Sequence, residues 1–449
     1  MAKKPLLASA IAVALGAPLS VHADSPSEIQ QIRAEIQALK QVYEARIASL
    51  EKRLEKADME APAAPATQAA VATQVAPEPA RANAFNPDIS LILQGRYSHS
   101  DKEGAQITGF LPLGRNDDGA KGFSLDGSEL ILSSNIGPGF RGLATLAITD
   151  DEVAVEEAWF QTLGLGQGFT LKGGRFLSGI GYANEQHPHA WDFADQNLPY
   201  AAMIGESYGQ DGLQVKWLAP TPFMLELGAE IGQGVNRSSQ NKPGSWAAFA
   251  HIGDDLGDSH SWRAGISRLD YKSEDREGLF GDVNNLNMET LFNGRSKFWI
   301  ADFVWKWAPN GNAKNQNFKF QAEYLHRDED GSLDCADNTA NGGACTGQSS
   351  NWQSSQSGWY AQGIYQFHPN WRTGYRYDRL DAGTQTSEMP LAASDYQPQR
   401  HSLMFDYNPS EFSRFRLQLA QDKAERDMAD HQITLQYIHS LGAHGAHSF

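Results

Sequence analysis

One segment of the chain, residues 178–210, combines side chains that bind metal ions with side chains that line water-filled passages. Two histidines are separated there by a single proline, and carboxylates lie close by in the sequence. Imidazole nitrogen and carboxylate oxygen together suit a borderline divalent ion such as Zn²⁺ or Cu²⁺. Because the spacing matches no fixed metal motif, a polar constriction without a metal stays open as the alternative. The candidate side chains are Glu185, His187, His189, Asp192 and Asp195.

Further histidines lie at the end of the sequence, in the stretch LGAHGAHSF. His439, His444 and His447 form a second candidate group of metal ligands. The alternative is a flexible polar end, because glycine and alanine separate the last two histidines from the preceding strand pattern.

The chain has two cysteines, Cys335 and Cys345, on either side of a stretch rich in glycine and asparagine. Two cysteines are too few for a cysteine-rich zinc module or a disulfide scaffold. In an oxidising compartment we expect them to form a disulfide that restricts an external loop. Two free thiols or two metal ligands are the alternatives.

Charged residues recur on the polar faces of the predicted strands and are candidates for lining a pore. Both signs of charge occur, so the residues predict a polar passage and leave its ion selectivity open. We find no nucleophile–base pair, glycine-rich phosphate loop or metallohydrolase motif in the sequence, and predict that the protein is not an enzyme. The pore-lining candidates are Arg96, Arg175, Glu226, Glu230, Lys319, Glu323, Arg376, Asp406, Arg414 and Arg416.

Residues 88–449 show a period-two alternation of apolar and polar side chains. Phe318, Phe320 and Tyr324, for example, alternate with Lys319 and Glu323. One apolar and one charged face on strands of about ten residues is typical of an outer-membrane barrel, with lipid outside and water inside. A soluble β-sandwich would have shorter strands and fewer tryptophans at strand ends. We therefore predict an all-β transmembrane barrel of about 16 antiparallel strands.

The connections between the predicted strands support this barrel. Short connections recur at every second junction, and most of the others are long, as expected for short periplasmic turns and long external loops. A barrel of sixteen strands leaves an aqueous channel, and residues 24–87 are too few for a globular plug. The predicted long loops are 99–127, 178–210, 234–244, 272–294, 328–356 and 380–398. We expect loop 178–210 to fold inward and narrow the channel.

The N-terminal part of the chain predicts export, assembly and spacing. Residues 1–23 begin with two lysines, continue with an apolar run and end at small residues, which is typical of a signal peptide. Residues 24–57 carry a heptad seam rich in isoleucine, which favours a trimeric coiled coil in the periplasm. A single amphipathic helix is the alternative. Residues 58–87 are rich in alanine and proline and indicate a linker.

Composition excludes several classes of protein. The chain has 449 residues and a formal net charge of −17, which argues against a nucleic-acid partner. Beyond residue 23 it contains no apolar run of about 18 residues, so helical membrane spans are excluded.

Several stretches carry a resemblance to a known family. They are NPDISLILQGRY, GFSLDGSELILSSNI, LKGGRFLSGIGYANEQHPHAWDF, FWIADFVWKWAPNGN, NPSEFSRFRLQLA and LQYIHSLGAHGAHSF. The chain resembles proteobacterial outer-membrane proteins labelled zinc-regulated or TonB-dependent outer-membrane receptors. This resemblance covers nearly the whole chain after the signal peptide. It implies metal acquisition, with zinc as the suggested ion and TonB as a suggested partner.

The expected function is a trimeric, porin-like channel in the bacterial outer membrane. It would allow passive uptake of small hydrophilic solutes or ions, divalent metals such as zinc included. One alternative is a receptor of the TonB-dependent type that captures a metal or a metal chelate. Another is a structural tether, in which the coiled coil contacts peptidoglycan and the barrel is an anchor. Outer-membrane lipid is the expected surrounding of the barrel.

Overall fold

A computed structural model describes most of the predicted barrel. The described residues are 87–101, 107–111, 121–125, 127–150, 152–234, 243–283, 287–335, 343–392, 395–426 and 428–442. The predicted signal peptide, the coiled coil, the linker up to residue 86, and His444 and His447 lie outside them. None of the helices within the described residues is long and apolar enough to cross a membrane.

The described residues are mainly antiparallel β-strands. The strands are β1 Asp88–Ser100, β2 Gly122–Leu125, β3 Ser128–Ile136, β4 Phe140–Ile148, β5 Val153–Thr162, β6 Phe169–Leu177, β7 Gly209–Leu218, β8 Met224–Gly232, β9 Ser245–Leu256, β10 His260–Gly281, β11 Asn287–Trp307, β12 Asn317–Cys335, β13 Ser349–His368, β14 Trp371–Thr386, β15 Gln399–Ser410, β16 Ser413–Lys423 and β17 Asp430–Gly442. From β3 to β17, each strand pairs with the next one along the chain.

Strand β1 closes the sheet into a barrel. One edge of β1 pairs with β17, and the other edge pairs with both β2 and β3. Leu125 of β2 lies opposite Gly95, and Glu129 of β3 lies opposite Ile92, so β2 and β3 follow each other along one strand position. Counting them as one, the barrel has sixteen strands, and the prediction of a sixteen-stranded antiparallel barrel is confirmed.

The two faces of the barrel wall are opposite in chemistry to those of a soluble protein. On β7, Leu213 and Val215 are exposed, whereas Gln214 between them is buried. The same alternation recurs around the barrel, with carboxylates, amides and guanidinium groups buried inside. An apolar exterior around a polar interior is the arrangement that a lipid environment requires. Exposed apolar side chains include Leu93, Tyr97, Phe160, Leu227, Ile266, Phe303, Phe405 and Leu435.

Two of the predicted long loops are strands for most of their length. Strand β10 continues to Gly281, and β11 begins at Asn287. A short connection is left where a loop over 272–294 was predicted. Strands β12 and β13 likewise extend into 328–356, and β14 extends to Thr386. The prediction of loops there was wrong, because the outward face of these strands becomes polar past the apolar band while the backbone pairing continues.

The outer ends of these long strands enclose their own small apolar core. Phe280, Met288 and Trp352 are buried together with Leu111, which comes from the first long connection. Cys335 and Cys345 lie in the same core and are joined by a disulfide. The core fixes the end of the barrel from which the long connections project.

Residues 178–208, here called the inward loop, fold into the barrel rather than away from it. The loop contains a short helix, α1 Leu198–Met203, whose residues are all buried. The side chain of Asn197 caps α1 by accepting a hydrogen bond from the backbone N–H of Tyr200 at 3.0 Å. Ile180, Tyr200 and Met203 pack against apolar residues of the wall. The loop is therefore a packed part of the barrel interior.

Candidate functional site

The inner wall carries two groups of charged side chains that we name by their main sign, although aspartates also lie among the basic residues and a lysine contacts the acidic ones. Basic side chains come from β12 and β14–β16, which we call the basic wall: Lys319, Arg372, Arg376, Arg400, Arg414 and Arg416. Acidic side chains come from β3, β5 and β8, which we call the acidic wall: Glu129, Glu156, Glu157, Glu226 and Glu230. The inward loop contacts both walls, and its own charges are matched to each.

The aspartates of the inward loop bind the basic wall. Asp192 accepts a hydrogen bond from Arg372 at 3.0 Å and is also ion-paired with Lys319. Asp195 is paired with Arg376 at 2.9 Å and with Arg400. Burial opposes ionisation of Asp195, but the two guanidinium groups outweigh it and lower its pKa to about 2. Both aspartates therefore act as anionic anchors of the loop.

Two of the glutamates predicted to line a pore, Glu323 and Glu230, accept hydrogen bonds from the backbone of the inward loop. Glu323 accepts hydrogen bonds from the backbone N–H groups of Tyr182 and Ala183 at 3.0 and 2.9 Å. It also accepts one from the hydroxyl of Tyr200 at 3.0 Å. Glu230 accepts from the backbone N–H of Gly179 at 2.8 Å. These hydrogen bonds fix the inward loop to the wall of the barrel.

The two histidines of the loop turn to the acidic wall. His187 Nε2 lies 3.1 Å from Glu157 Oε2, and its Nδ1 lies 3.2 Å from Glu156 Oε2 and 3.5 Å from Glu129 Oε2. His189 Nδ1 lies 2.8 Å from Glu129 Oε1. The imidazole rings are stacked, with their centroids 5.8 Å apart. The histidines therefore meet carboxylates of the strands and not those of their own loop.

A β-bulge places two consecutive glutamates on this acidic wall. Thr145 of β4 pairs with Glu157 and the next residue, Leu146, pairs with Val155, so Glu156 is the extra residue of β5. In a regular strand neighbouring side chains point to opposite faces. The bulge interrupts this alternation, and both Glu156 and Glu157 reach His187.

A cavity of about 420 Å³ opens beside the histidines. Its wall includes Glu156 together with Pro188, which lies between the two histidines. Three carboxylates and one guanidinium group contribute to the lining, so acidic groups outnumber basic ones. The charged lining residues are Glu156, Arg175, Glu206 and Asp211.

The remaining candidates lie at separate places. Arg175 donates to both carboxylate oxygens of Asp211, at 2.7 and 3.2 Å. Glu185 is paired with Lys216 at 3.1 Å, so it is not brought to the histidines. His439 contacts Ser413 at 2.8 Å.

The other five pore-lining candidates also lie on the barrel strands. Asp406 accepts a hydrogen bond from Arg416 at 2.9 Å, and Glu226 lies 3.1 Å from His251. Arg414 lies 3.6 Å from Asp406, and Arg96 of β1 is opposite Gln436 of β17.

The carboxylates that meet the histidines, namely Glu129, Glu156 and Glu157, were not predicted from the sequence. A signal for two of them exists in the stretch VAVEEAWF. The outward positions Val153 and Val155 are followed by Ala158 and Phe160, so the period of two is broken once, at the glutamate pair. Such a break is what a bulge produces. No local signal connects Glu129 to His189, since the two are distant in sequence.

Comparison with known proteins gives one relative in sequence and several in structure. An uncharacterized protein of Aquifex aeolicus (strain VF5) is 31% identical over 406 residues, which cover 82% of this chain and 80% of that protein. No protein-family model matches the chain. OprB of Pseudomonas putida aligns with a TM-score of 0.49 at 13% identity, covering 79% of this chain and 94% of OprB.

Two other solved structures align over a similar length. The outer-membrane channel DcaP of Acinetobacter baumannii has a TM-score of 0.46 and 12% identity, covering 79% of this chain and 97% of its own. An anion-selective porin from Comamonas acidovorans has a TM-score of 0.46 and 9% identity, covering 79% and 99%.

Proposed function

The chain belongs to the same family as the Aquifex aeolicus protein, and we propose that it is an outer-membrane channel for passive diffusion of small hydrophilic solutes, with a preference for cations. The observation that carries this proposal is the reversed chemistry of the wall, apolar outside and charged inside. A closed antiparallel barrel of this kind satisfies its backbone hydrogen bonds in lipid and encloses a polar interior. Passive diffusion requires no energy-coupling partner.

The proposed cation preference rests on which charged groups inside the barrel are paired and which line the cavity. The arginines of the basic wall are engaged by carboxylates, among them Asp192, Asp195 and Asp406. They are thus neutralised where a passing anion would need them. The cavity beside β5–β7 has an excess of carboxylates. Acidic groups lining a narrow passage concentrate cations there.

Planar-bilayer recording of the purified protein tests the proposal. We expect discrete conductance steps and, in a KCl gradient, a zero-current potential of the sign for cations. Glu206→Gln, which removes one carboxylate from the cavity lining, should move this potential toward zero without abolishing conductance. Glu388→Gln makes the same charge change on an exposed residue outside the cavity and should leave it unchanged. Absence of conductance, or anion selectivity, would contradict the proposal.

A receptor that captures a metal or metal chelate is the second candidate. The close packing of the inward loop favours it, because Leu198, Tyr200 and Met203 are fully buried within the barrel. A closed barrel would give no conductance but would show saturable binding of its ligand. The bilayer recording therefore separates the two candidates directly.

Several predictions from the sequence stay predictions. They are zinc as the transported solute, a homotrimer, TonB as a partner, contact with peptidoglycan and the periplasmic coiled coil. The coiled coil lies outside the described residues. A tether would be indicated if removal of residues 27–57 weakened the envelope and left solute uptake unchanged.

A further inference from the structure

We propose that Glu129, Glu156 and His187 form a binding site for a divalent transition-metal ion such as Zn²⁺ in the barrel interior. One ligand atom from each of the three residues lies within 4.8 Å of the others. Nδ1 of His187 faces Oε2 of both glutamates. The site consists of two strand residues and one loop residue, so a bound ion would join the inward loop to the acidic wall. This proposal rests on the proposed function in one respect, because ions would reach the site by diffusing through the channel.

The two distances from His187 Nδ1 to the glutamate oxygens match those in a metal coordination shell. In a tetrahedral zinc site with bonds of about 2.0–2.1 Å, neighbouring ligand atoms are about 3.3 Å apart. Nδ1 of His187 lies 3.2 Å from Glu156 Oε2 and 3.5 Å from Glu129 Oε2. An ion could therefore be accommodated between these atoms with little movement, and a water molecule or solute could take a further position.

Two neighbouring groups orient these ligands as they do in metal sites. His187 can donate its Nε2–H to Glu157 Oε2 at 3.1 Å, which leaves Nδ1 with a lone pair toward the two other glutamates. His189 holds Glu129 through Oε1 at 2.8 Å, so that Oε2 is the oxygen turned to His187. A carboxylate behind the histidine and a hydrogen bond behind a ligating carboxylate are common supports of bound metal ions.

A protonated His187 surrounded by glutamates would explain the same composition without a metal. In that case Nδ1–H should donate a hydrogen bond to one of the carboxylates. Glu156 Oε2 and Glu129 Oε2 lie 3.2 and 3.5 Å from Nδ1. A proton and a shared metal ion would each be held there, and Zn²⁺ titration separates the two because the metal must displace the proton.

The site combines shielding with access. Glu129 is 1% exposed, and a buried carboxylate binds a cation more strongly than an exposed one. Glu156, in contrast, also lines the 420 Å³ cavity, so an ion in water can reach the ligands. One imidazole among carboxylates favours Zn²⁺ and similar ions over Mg²⁺ and Ca²⁺, which prefer oxygen ligands.

Calorimetry of the full chain in detergent micelles, titrated with ZnCl₂ after treatment with a chelator, tests the site. We expect one tight Zn²⁺ per chain, not displaced by excess Mg²⁺. His187→Gln and Glu156→Gln should each weaken this binding by more than about tenfold. Glu185→Gln is the matched control, because it removes a carboxylate of the same loop that pairs with Lys216. Heat-dependent migration in gels verifies that each variant has a folded barrel.

Equal Zn²⁺ affinity in the wild-type chain and His187→Gln, or no tight binding at all, would overturn the site. A Co²⁺-loaded sample provides a second readout, since visible absorption typical of tetrahedral Co²⁺ should disappear in both ligand variants. Failure of the site is distinguishable from failure of the channel. Conductance without Zn²⁺ binding contradicts only the metal site, and Zn²⁺ binding without conductance contradicts only passive diffusion.

Discussion

Asp195 is a single side chain on which the position of the inward loop depends. It is paired with Arg376 and Arg400, both buried in the wall. Asp195→Asn removes one countercharge, but Arg376 keeps Asp378 and Arg400 keeps Asp422. The cost should therefore be smaller than about 3–5 kcal/mol, which is the cost of a buried charge left unpaired. We expect a lower melting temperature and a noisier open-channel current. Glu388→Gln, which removes an exposed carboxylate, should change neither.

The lowered pKa of Asp195 determines how acid should affect the stability of the loop. Its pKa is lowered from the ordinary value of about 4 to about 2. A carboxyl group with a lowered pKa stabilises the folded state above its ordinary pKa, and this stabilisation is lost as the pH falls through the lowered value. The difference in melting temperature between wild type and Asp195→Asn should therefore narrow between pH 4 and pH 2. A difference that is constant over this range would contradict the prediction.

Glu157 should act on metal binding through His187, which it contacts, rather than as a ligand. Glu157→Gln removes the charge behind the imidazole, and changes of this kind typically weaken metal affinity by about 10–100-fold. Calorimetry with Zn²⁺ measures the change, and the visible spectrum of bound Co²⁺ should keep its tetrahedral form because all three ligands remain. Loss of that spectrum would mean that Glu157 is itself a ligand.

At the scale of an element, the bulge in β5 converts a strand pattern into a site. Deletion of Glu156 removes the extra residue, and the strand then reads Val153, Val155, Ala158 and Phe160 on one face without interruption. We expect this variant to assemble as a barrel and to lose tight Zn²⁺ binding. Heat-dependent gel migration and calorimetry measure the two properties. A deletion variant that fails to assemble would show that the bulge is needed for the barrel itself.

The elements also show which parts of the structure a sequence can predict. Period-two alternation predicted sixteen strands, because each barrel strand repeats one local rule. The partners of His187 and His189 were not predictable, since they depend on a loop reaching strands that are far away in sequence. The outer ends of β10–β13 were missed for another reason. Beyond the apolar band, outward residues such as Glu277 and Glu289 are polar and inward residues such as Met288 are apolar, so the pattern of the lipid-facing strands is reversed.

At the scale of the whole molecule, the inward loop is matched in charge to the barrel around it. Asp192 and Asp195 face arginines and a lysine, whereas His187 and His189 face glutamates. This arrangement specifies one orientation of the loop, because an exchange of the two ends would place like charges together. Variants of either the aspartates or the histidines should therefore loosen the loop, and only variants of the histidines should weaken Zn²⁺ binding.

Residues 24–57 are predicted from the sequence to assemble several chains. Isoleucine at successive core positions of a heptad repeat favours three strands. Ile36→Lys places a charge in the predicted seam and should convert trimers to monomers, whereas Gln37→Lys next to it should not. Light scattering coupled to gel filtration measures the mass of the protein in micelles. If Ile36→Lys remains trimeric, contacts of the barrel wall hold the assembly, and residues 24–57 need another role. A tether to the cell wall would then be the hypothesis to test.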